Sequence, residues 1–303
     1  MFDTLKMETI VSNVKNHVWR SVDGNISWNY CFTLDVIKNI HKYEMVLDLL
    51  EDNVSKEVFV SLVKHRMTAY IKNVSPISTL HNEVNDDVSM PEIKDLNGEL
   101  ISSLVFSNNQ YLIPGVFELK EGENVIDGGG YLGDSAIYFS QFVGNKGRVF
   151  SFEAQPEIAK TMRDNLKLNS IRNVDIIQKG LSDKVEDAYI VHYNQGSWVS
   201  YELPGDAVDF SRISLVDIDS FILENNISKI GLIKLDIEGS ERGALLGAEK
   251  IIKRDKPKLA VSLYHKYDDF HVIPSIITNI RKDYRFYLRH NTTGLWETVL
   301  FAI

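Results

Sequence analysis

The sequence predicts an α/β fold in which a doubly wound sheet is closed by a C-terminal antiparallel hairpin and preceded by a helical region. Three observations carry this. Strand-like apolar runs alternate with helical periods from residue 124 onward, the pattern of βα units on a parallel sheet. The run Val125-Ile126-Asp127 leads into Gly128, Gly130 and Gly133 at a G-x-G-x-x-G spacing, followed by residues fit to open a helix. The chain ends in two strand-like runs joined by Asn291-Thr292-Thr293-Gly294, which is good turn chemistry.

Composition sets the outer bounds. At 303 residues the chain makes one large domain or two modest ones. A hydrophobic content of 44% with 25% charged residues is ordinary for a soluble globular protein. The net charge of −9 argues against nucleic acid as a partner, because phosphate contacts need a clustered basic face. No apolar run approaches the roughly 20 residues of a membrane span. The N-terminus lacks the basic start and apolar stretch of a signal peptide. A single cysteine, Cys31, makes no internal disulfide, which together with the absent signal points to the cytoplasm. Cys31 lies beside Phe32 and Leu34 and reads as a buried structural thiol.

Residues 1–110 form the N-terminal region. Up to about residue 72 it reads as helical, with Leu34, Ile37, Ile40, Val46, Leu49 and Leu50 on a 3.6-residue period. Ser55 is the expected N-cap of a second helix bearing Val58, Phe59, Leu62 and Val63 on one face. Such faces must be buried, so these helices are expected to cover the acceptor side of the cleft or to form a homodimer interface. From 75 to 99 the period fails. Pro76, Pro91 and the acids Glu83, Asp86, Asp87, Glu92, Asp95 and Glu99 indicate an acidic linker.

Residues 111–303 form the second region. Its strands are expected at 124–127, 148–153, 174–178, 230–236, 258–264, 284–290 and 297–302. Its helices are expected at 134–143, 156–169, 216–225, 240–253 and 271–282. The stretch 209–221 reads as a lead into the fourth helix, its acids serving as caps.

Ligands in open α/β sheets sit beyond the carboxyl ends of the strands, so residues there are the site candidates. Glycines in the first turn allow backbone to approach a ligand. Asp127 would repel a pyrophosphate at that turn and instead suits S-adenosylmethionine (SAM), which carries an ammonium and a sulfonium. Glu153, 20 residues after Gly133, ends the second strand and can accept both ribose hydroxyls. The expected cofactor set is Asp127, Gly128, Gly129, Gly130, Tyr131, Gly133, Asp134, Ser135, Glu153, Ala154, Gly180, Leu181 and Asp236. An NAD(P) cofactor in the same turn, making the chain an oxidoreductase, is the alternative. A non-catalytic SAM-binding scaffold is the third reading.

Lys234 and Asp236 are two apart and share a face of their strand. A lysine inside an apolar strand needs a partner, and Asp236 is the obvious one. Glu238 and Glu241 flank Gly239 where the next helix starts. Lys234, Asp236, Glu241 and His265 are therefore the catalytic candidates, with His265 the base best matched to neutral pH. Mg²⁺ held by Asp236 and Glu238 is another way to acidify a hydroxyl. Glu238, Lys266, Arg289 and His290 are the candidates for holding polar parts of the acceptor.

Residues 127–133, FEAQP at 152–156, NLKLN at 165–169, IKLDIEGSE at 233–241 and ETVLFAI at 297–303 carry a further signal. Together they resemble the FkbM family of SAM-dependent methyltransferases over about residues 111–303. The element KxDxEGxE, with Lys234, Asp236, Glu238, Gly239 and Glu241, is the most specific part. The resemblance implies a Rossmann-like SAM-binding sheet and methylation of hydroxyl oxygens. The expected function is thus SAM-dependent O-methylation of a sugar, glycan or similar polyhydroxylated acceptor.

Overall fold

A computed structural model describes residues 28–68, 89–193, 196–202, 209–292, 294 and 296–303. Expectations for residues 1–27, for Pro76 and the acids Glu83, Asp86 and Asp87, and for Thr293 lie outside these residues. The N-terminal pair is α1 (Trp28–Leu49) and α2 (Asn53–Thr68). A two-residue pair of strands follows, β1 (Ile93–Lys94) and β2 (Leu100–Ile101), then the short helix α3 (Leu104–Ser107). The α/β part opens with β3 (Val125–Gly128), α4 (Asp134–Val143), β4 (Val149–Phe152), α5 (Pro156–Leu168) and β5 (Val174–Ile177). An inserted group comprises β6 (Gly180–Leu181), β7 (Glu186–Tyr193), β8 (Gly196–Ser200) and β9 (Asp209–Val216). The chain closes with α6 (Ile218–Glu224), β10 (Leu232–Leu235), α7 (Glu241–Leu246), α8 (Glu249–Asp255), β11 (Lys258–Ser262), α9 (Asp269–Ile280), β12 (Phe286–His290) and β13 (Thr298–Ala302).

The main sheet has the order β12-β13-β11-β10-β3-β4-β5. β13 runs antiparallel to both of its neighbours, and the pairings from β11 through β5 are parallel. The doubly wound sheet with its closing hairpin is as the sequence reads. Its central strands are apolar on both faces because helices cover both, and β3, β10 and β13 are buried along their whole lengths. Strand order reverses between β3 and β10, which places their carboxyl ends at the ligand-binding crevice of such folds. No described helix is long and apolar enough to cross a membrane.

Three expectations change between residues 89 and 255. First, 209–216 is a strand rather than a lead into a helix, and it joins β6, β7 and β8 in a four-stranded sheet. Ile213 and Leu215 face a small core with Ala188 and Ile190, while Arg212 and Ser214 reach out to Asp187. Asp217 does cap the helix that follows, accepting from the Ser220 amide at 2.7 Å. Second, the helix at 240–253 breaks at Gly247, where the Asp219 carboxylate takes the Lys250 and Ile251 amides and starts a new helix. Third, the described part of the acidic linker is anchored. Ile93 is buried, and the Asn165 amide accepts from and donates to the Lys94 backbone at 3.0 Å each way. Asn169 holds the Glu92 backbone likewise. Two side-chain amides thus do for this segment what a neighbouring strand would do.

The N-terminal helices meet their partner within the chain. Phe32, Val36, Tyr43, Val46 and Leu50 are buried, whereas Leu34, Ile37 and Ile40 are half-buried and Leu49 is exposed. α1 changes course at Asn39 (φ −119°, ψ 25°), which rotates the apolar face from the one a straight helix would present. Phe32 and Phe59 pack against Phe270 of α9, and the Glu51 amide donates to the Phe286 carbonyl of β12. These helices therefore cover the sheet edge at β12 instead of the cleft, and Cys31 is half-buried rather than buried. Ser55 is not the cap. Asp52 accepts the Ser55 amide at 2.7 Å, and the Ser55 hydroxyl, fully buried, accepts from the Leu288 amide at 2.8 Å and from Arg289 at 3.0 Å.

Arg289 and His290 are accordingly removed from the acceptor. Arg289 pairs with Asp52 at 2.8 Å and ties α2 to β12. His290 lies between the Thr298 hydroxyl and the Gly294 carbonyl, and burial pushes its pKa down to about 4. Both residues end a strand, but at the edge away from the crevice.

Ser55→Ala leaves a buried amide and a guanidinium N–H without their acceptor, so stability should fall by about 1–3 kcal/mol. Urea unfolding followed by circular dichroism measures this, and an unchanged midpoint would refute the docking role.

Candidate functional site

The site is built downward from the glycine turn. Gly129 stands at φ +76°, and a Cβ there would lie 1.8 Å from the Asp236 carbonyl oxygen. A Cβ on Gly130 would lie 2.2 Å from the Ser151 hydroxyl. β3, β4 and β10 can close on one another only because these residues have no side chain. The Gly129 and Gly130 amides donate to the Phe152 carbonyl, which fixes the turn to the end of β4.

Lys234 holds the turn from below. Its ammonium donates to the Gly128 and Gly129 carbonyls at 3.0 and 2.7 Å and pairs with Asp127 at 3.1 Å. Asp127 also accepts from the hydroxyls of Ser135 and Ser151, and it is fully buried. Burial works against the Lys234 charge, but Asp127 and Asp236 outweigh it and hold the pKa above the ordinary lysine value. Asp127, rather than Asp236, is thus the direct partner of this lysine. Asp127 meets a protein cation, stands outside the cavity lining and fixes the turn.

A cavity of about 810 Å³ opens over the turn, within the range of small-molecule sites. Of the expected cofactor set, Gly129, Tyr131, Asp134, Ser135, Glu153, Ala154, Gly180, Leu181 and Asp236 line it. Asp127, Gly128, Gly130 and Gly133 stand outside the lining and shape it from behind. Glu153 accepts the Tyr131 amide at 3.2 Å and the Gln155 amide at 2.9 Å, and burial raises its pKa. Asp134 accepts from Ser103 at 2.7 Å at the start of α4. The cradle that a Cβ would fill, with a carboxylate at the end of β4, fits an adenosyl group and its ribose.

The other end of the cavity is a network centred on Asp236. Its two oxygens accept from the Tyr111 and Tyr264 hydroxyls, each at 2.8 Å. Burial would raise its pKa, but His265, Lys234 and the two phenols keep it below the ordinary carboxylate value. Behind it, His265 Nδ1 meets Glu241 at 2.8 Å while Nε2 lies 3.5 Å from Asp236 and 3.7 Å from Glu238. Burial opposes an imidazolium, yet Glu241, Asp236 and Glu238 outweigh it and push the pKa up to about 10. Among these three carboxylates His265 is held toward the imidazolium, which does not suit the general-base role that the sequence suggests. Glu241 accepts from His265 and from the Ile237 amide and does not line the cavity, so it orients the histidine.

Asp236, Glu241 and His265 do stand close enough to ligate one ion. The donor set nevertheless suits Mg²⁺ poorly. Both Asp236 oxygens are engaged by phenols, one ligand is a nitrogen, and the imidazolium already occupies the place of the cation between the carboxylates. Glu238, the other proposed ligand, extends from the lining with an exposed side chain. Lys266 is exposed, reaches back over Gly239 and lies outside the lining.

Among the lining residues not read from the sequence, Gln110, Tyr111, Tyr264 and Glu297 carry polar groups at the Asp236 end. Tyr264 and Glu297 lie next to His265 and at the head of the ETVLFAI run, so adjacency could have flagged them. Gln110 and Tyr111 come from the segment before β3 and carry no local signal. Backbone conformation offers a further mark, since Tyr131, Glu238 and Glu297 all line the cavity with positive φ values of 44°, 55° and 63°. Non-glycine residues seldom adopt this region, and such strain concentrates at functional sites.

The His265 charge has a consequence for stability. Its folded pKa is raised from 6.5 to about 10, so its contribution is complete below about 6.5 and is lost as pH rises through about 10. The melting temperature of the wild type should therefore decline between pH 7 and 10 more steeply than that of His265→Gln. Parallel declines in calorimetry would show that the imidazolium is not part of the network.

Residues 127–286, just over half of the chain, match the Methyltransferase FkbM domain. Residues 35–183 also match the protein-L-isoaspartate(D-aspartate) O-methyltransferase family. Among solved structures, methyltransferase FkbM from Methylobacillus flagellatus KT is similar over 93% of this chain and 63% of that one, with 24% identity and a TM-score of 0.66. A tRNA (adenine(57)-N(1)/adenine(58)-N(1))-methyltransferase from Methanocaldococcus jannaschii is 29% identical over 107 residues, 35% of this chain and 37% of that protein. A protein-L-isoaspartate O-methyltransferase from Methanothrix thermoacetophila is 37% identical over 62 residues, 20% of this chain and 30% of that protein. The chain thus spans about a third of the length of these two relatives. With the domain match lying across the glycine turn, Glu153 and the Asp236 network, the chain belongs to the FkbM methyltransferase family.

Proposed function

We propose that the chain transfers a methyl group from SAM to a hydroxyl of a sugar, glycan or similar polyhydroxylated acceptor. One observation carries the reading: a glycine cradle with Glu153 and a carboxylate–phenol network around Asp236 share one cavity. The first end suits a nucleoside and the second suits neutral hydroxyls. Bound SAM supplies an electrophilic methyl group. Glu153 receives the ribose hydroxyls, Gly129 and Tyr131 border the adenosyl path, and Asp236 lies where a cationic part of the ligand would be stabilised. Most of the catalytic gain then comes from alignment of the acceptor oxygen with the methyl group.

Several features favour a neutral acceptor. Asp236, Glu238 and Glu297 all line the cavity and would repel phosphate or carboxylate groups. Trp296, 61% exposed, packs edge-on against Tyr264 and offers an apolar plane beside the acceptor end, as sugar rings require. The same acids, with the net charge of −9, favour a neutral acceptor over nucleic acid. The one cysteine is free and suits the reducing cytoplasm, which we take as the compartment.

Glu153→Ala should weaken S-adenosylhomocysteine binding about tenfold or more, through loss of hydrogen bonds to a charged acceptor. Calorimetry decides, and wild-type affinity in the variant, or tight NAD binding by the native chain, would contradict the cofactor assignment. Asp236→Ala, which removes a preorganised charge, should reduce transfer by at least about 10²-fold. The assay is transfer of labelled methyl to a panel of free sugars, nucleotide sugars and glycans, with tRNA as the contrasting acceptor. Methylation of tRNA alone would overturn the acceptor class.

A further inference from the structure

Glu297 occupies an unusual place in the cavity. It follows the exposed Trp296 at the mouth of the final hairpin and lines the acceptor end with Gln110, Tyr264 and Asp236. Its backbone is held at φ +63°, and its carbonyl accepts from the Asn291 amide at 3.1 Å across the hairpin. This closure aims the side chain inward. There Oε2 accepts from the Gln110 amide group.

We propose that Glu297 is the general base that takes the proton of the acceptor hydroxyl. The assignment rests on the hydroxyl-methylating reading above. In the step, the acceptor O–H bond breaks as the oxygen forms its bond to the methyl carbon of the sulfonium donor. The S–C bond electrons return to sulfur, which leaves as the thioether of S-adenosylhomocysteine, and the proton ends on the Glu297 carboxylate.

The other acids and bases are committed elsewhere. Asp236 is engaged at both oxygens and held in its ionised form, a weak base. His265 carries a proton at neutral pH, and Glu241 does not reach the cavity. Burial, and then the Asp236 charge, push the Glu297 carboxyl up to about 7, against the lowering effects of Gln110, His265 and Lys234. The remaining titratable groups around it are Glu238, whose exposed side chain extends from the lining toward the His265 cation, and Tyr111 and Tyr264, which stay neutral because burial and Asp236 raise their pKa values. A base with a pKa near working pH is both available and able to accept a proton.

The test uses the full-length chain. In carbon-13 spectra of glutamate-labelled protein, one carboxyl resonance should titrate near pH 7 and be absent from Glu297→Gln. In Gln110→Ala, which removes a bond favouring the ionised form, that resonance should titrate at higher pH. With any sugar methylated in the panel, kcat should rise with pH through about 7, and E297Q should lose this limb and about 10²–10⁴-fold in rate. Its S-adenosylhomocysteine affinity should stay within about twofold of wild type. A Glu297 resonance titrating below pH 5, or a fast E297Q enzyme, would overturn the assignment. Transfer to no sugar, with the resonance still titrating near 7, would instead overturn the acceptor class and leave the titration intact. Should E297Q fail to fold, Gln110→Ala decides: a carboxyl titration that does not move overturns the proposal.

Discussion

The buried pair of Lys234 and Asp127 is the constraint on which the rest of the site depends. A lone ammonium in the middle of a parallel sheet would be strongly disfavoured. Here it is bound by a carboxylate and by two carbonyls of the glycine turn, while two serine hydroxyls complete the carboxylate. The arrangement locks β10, β3 and β4 together at their carboxyl ends, where the crevice must form. Such pairs stabilise less than an apolar replacement often would, but they permit few alternative packings. That suits a turn on which a ligand must be placed to within a fraction of an ångström.

The acceptor end follows from the same electrostatics. Asp236, Glu238, Glu241 and Glu297 crowd one region, with His265 and Lys234 as the cations. The histidine is charged because it lies among three carboxylates, and Asp236 is ionised because that histidine and Lys234 are there. Burial, and then the neighbouring Asp236 charge, raise the pKa of Glu297. The cluster thus divides its members between fixed charge and a group able to exchange a proton. Coupled groups titrate as a set, so a change in one of these residues moves the others.

The helices α1 and α2 serve this site from a distance. They seal the β12 edge of the sheet, through Ser55 and the Asp52–Arg289 pair, and so support the hairpin that carries Trp296 and Glu297. The cleft itself is covered by the segment between β2 and β3, which brings Ser103, Gln110 and Tyr111 over the glycine turn. Coverage of an edge and coverage of a cleft both bury apolar surface, and periodicity alone does not distinguish them.

What the sequence alone determined was local: strand and helix periods, the glycine turn, Glu153 and the KxDxEGxE run. Each follows from spacing within a few residues. The glycine turn and the main-sheet strands stand where the spacing puts them, whereas the helix at 240–253 breaks at Gly247. The inserted sheet of β6 to β9 was not read as strands, although β7 and β9 are eight residues each, because it pairs outside the main sheet. Which charges meet was decided by the tertiary structure. Lys234 turns to Asp127 instead of to the neighbour two residues away, since β3 lies alongside at the height of its ammonium. Arg289 and His290 look like ligands in the chain but belong to packing, because the strand order places β12 at the far edge. Tyr111 and Tyr264 reach Asp236, and Glu297 the same cavity, from segments up to 125 residues apart. Proximity across such separations is a property of the closed sheet, and no periodicity in the chain encodes it.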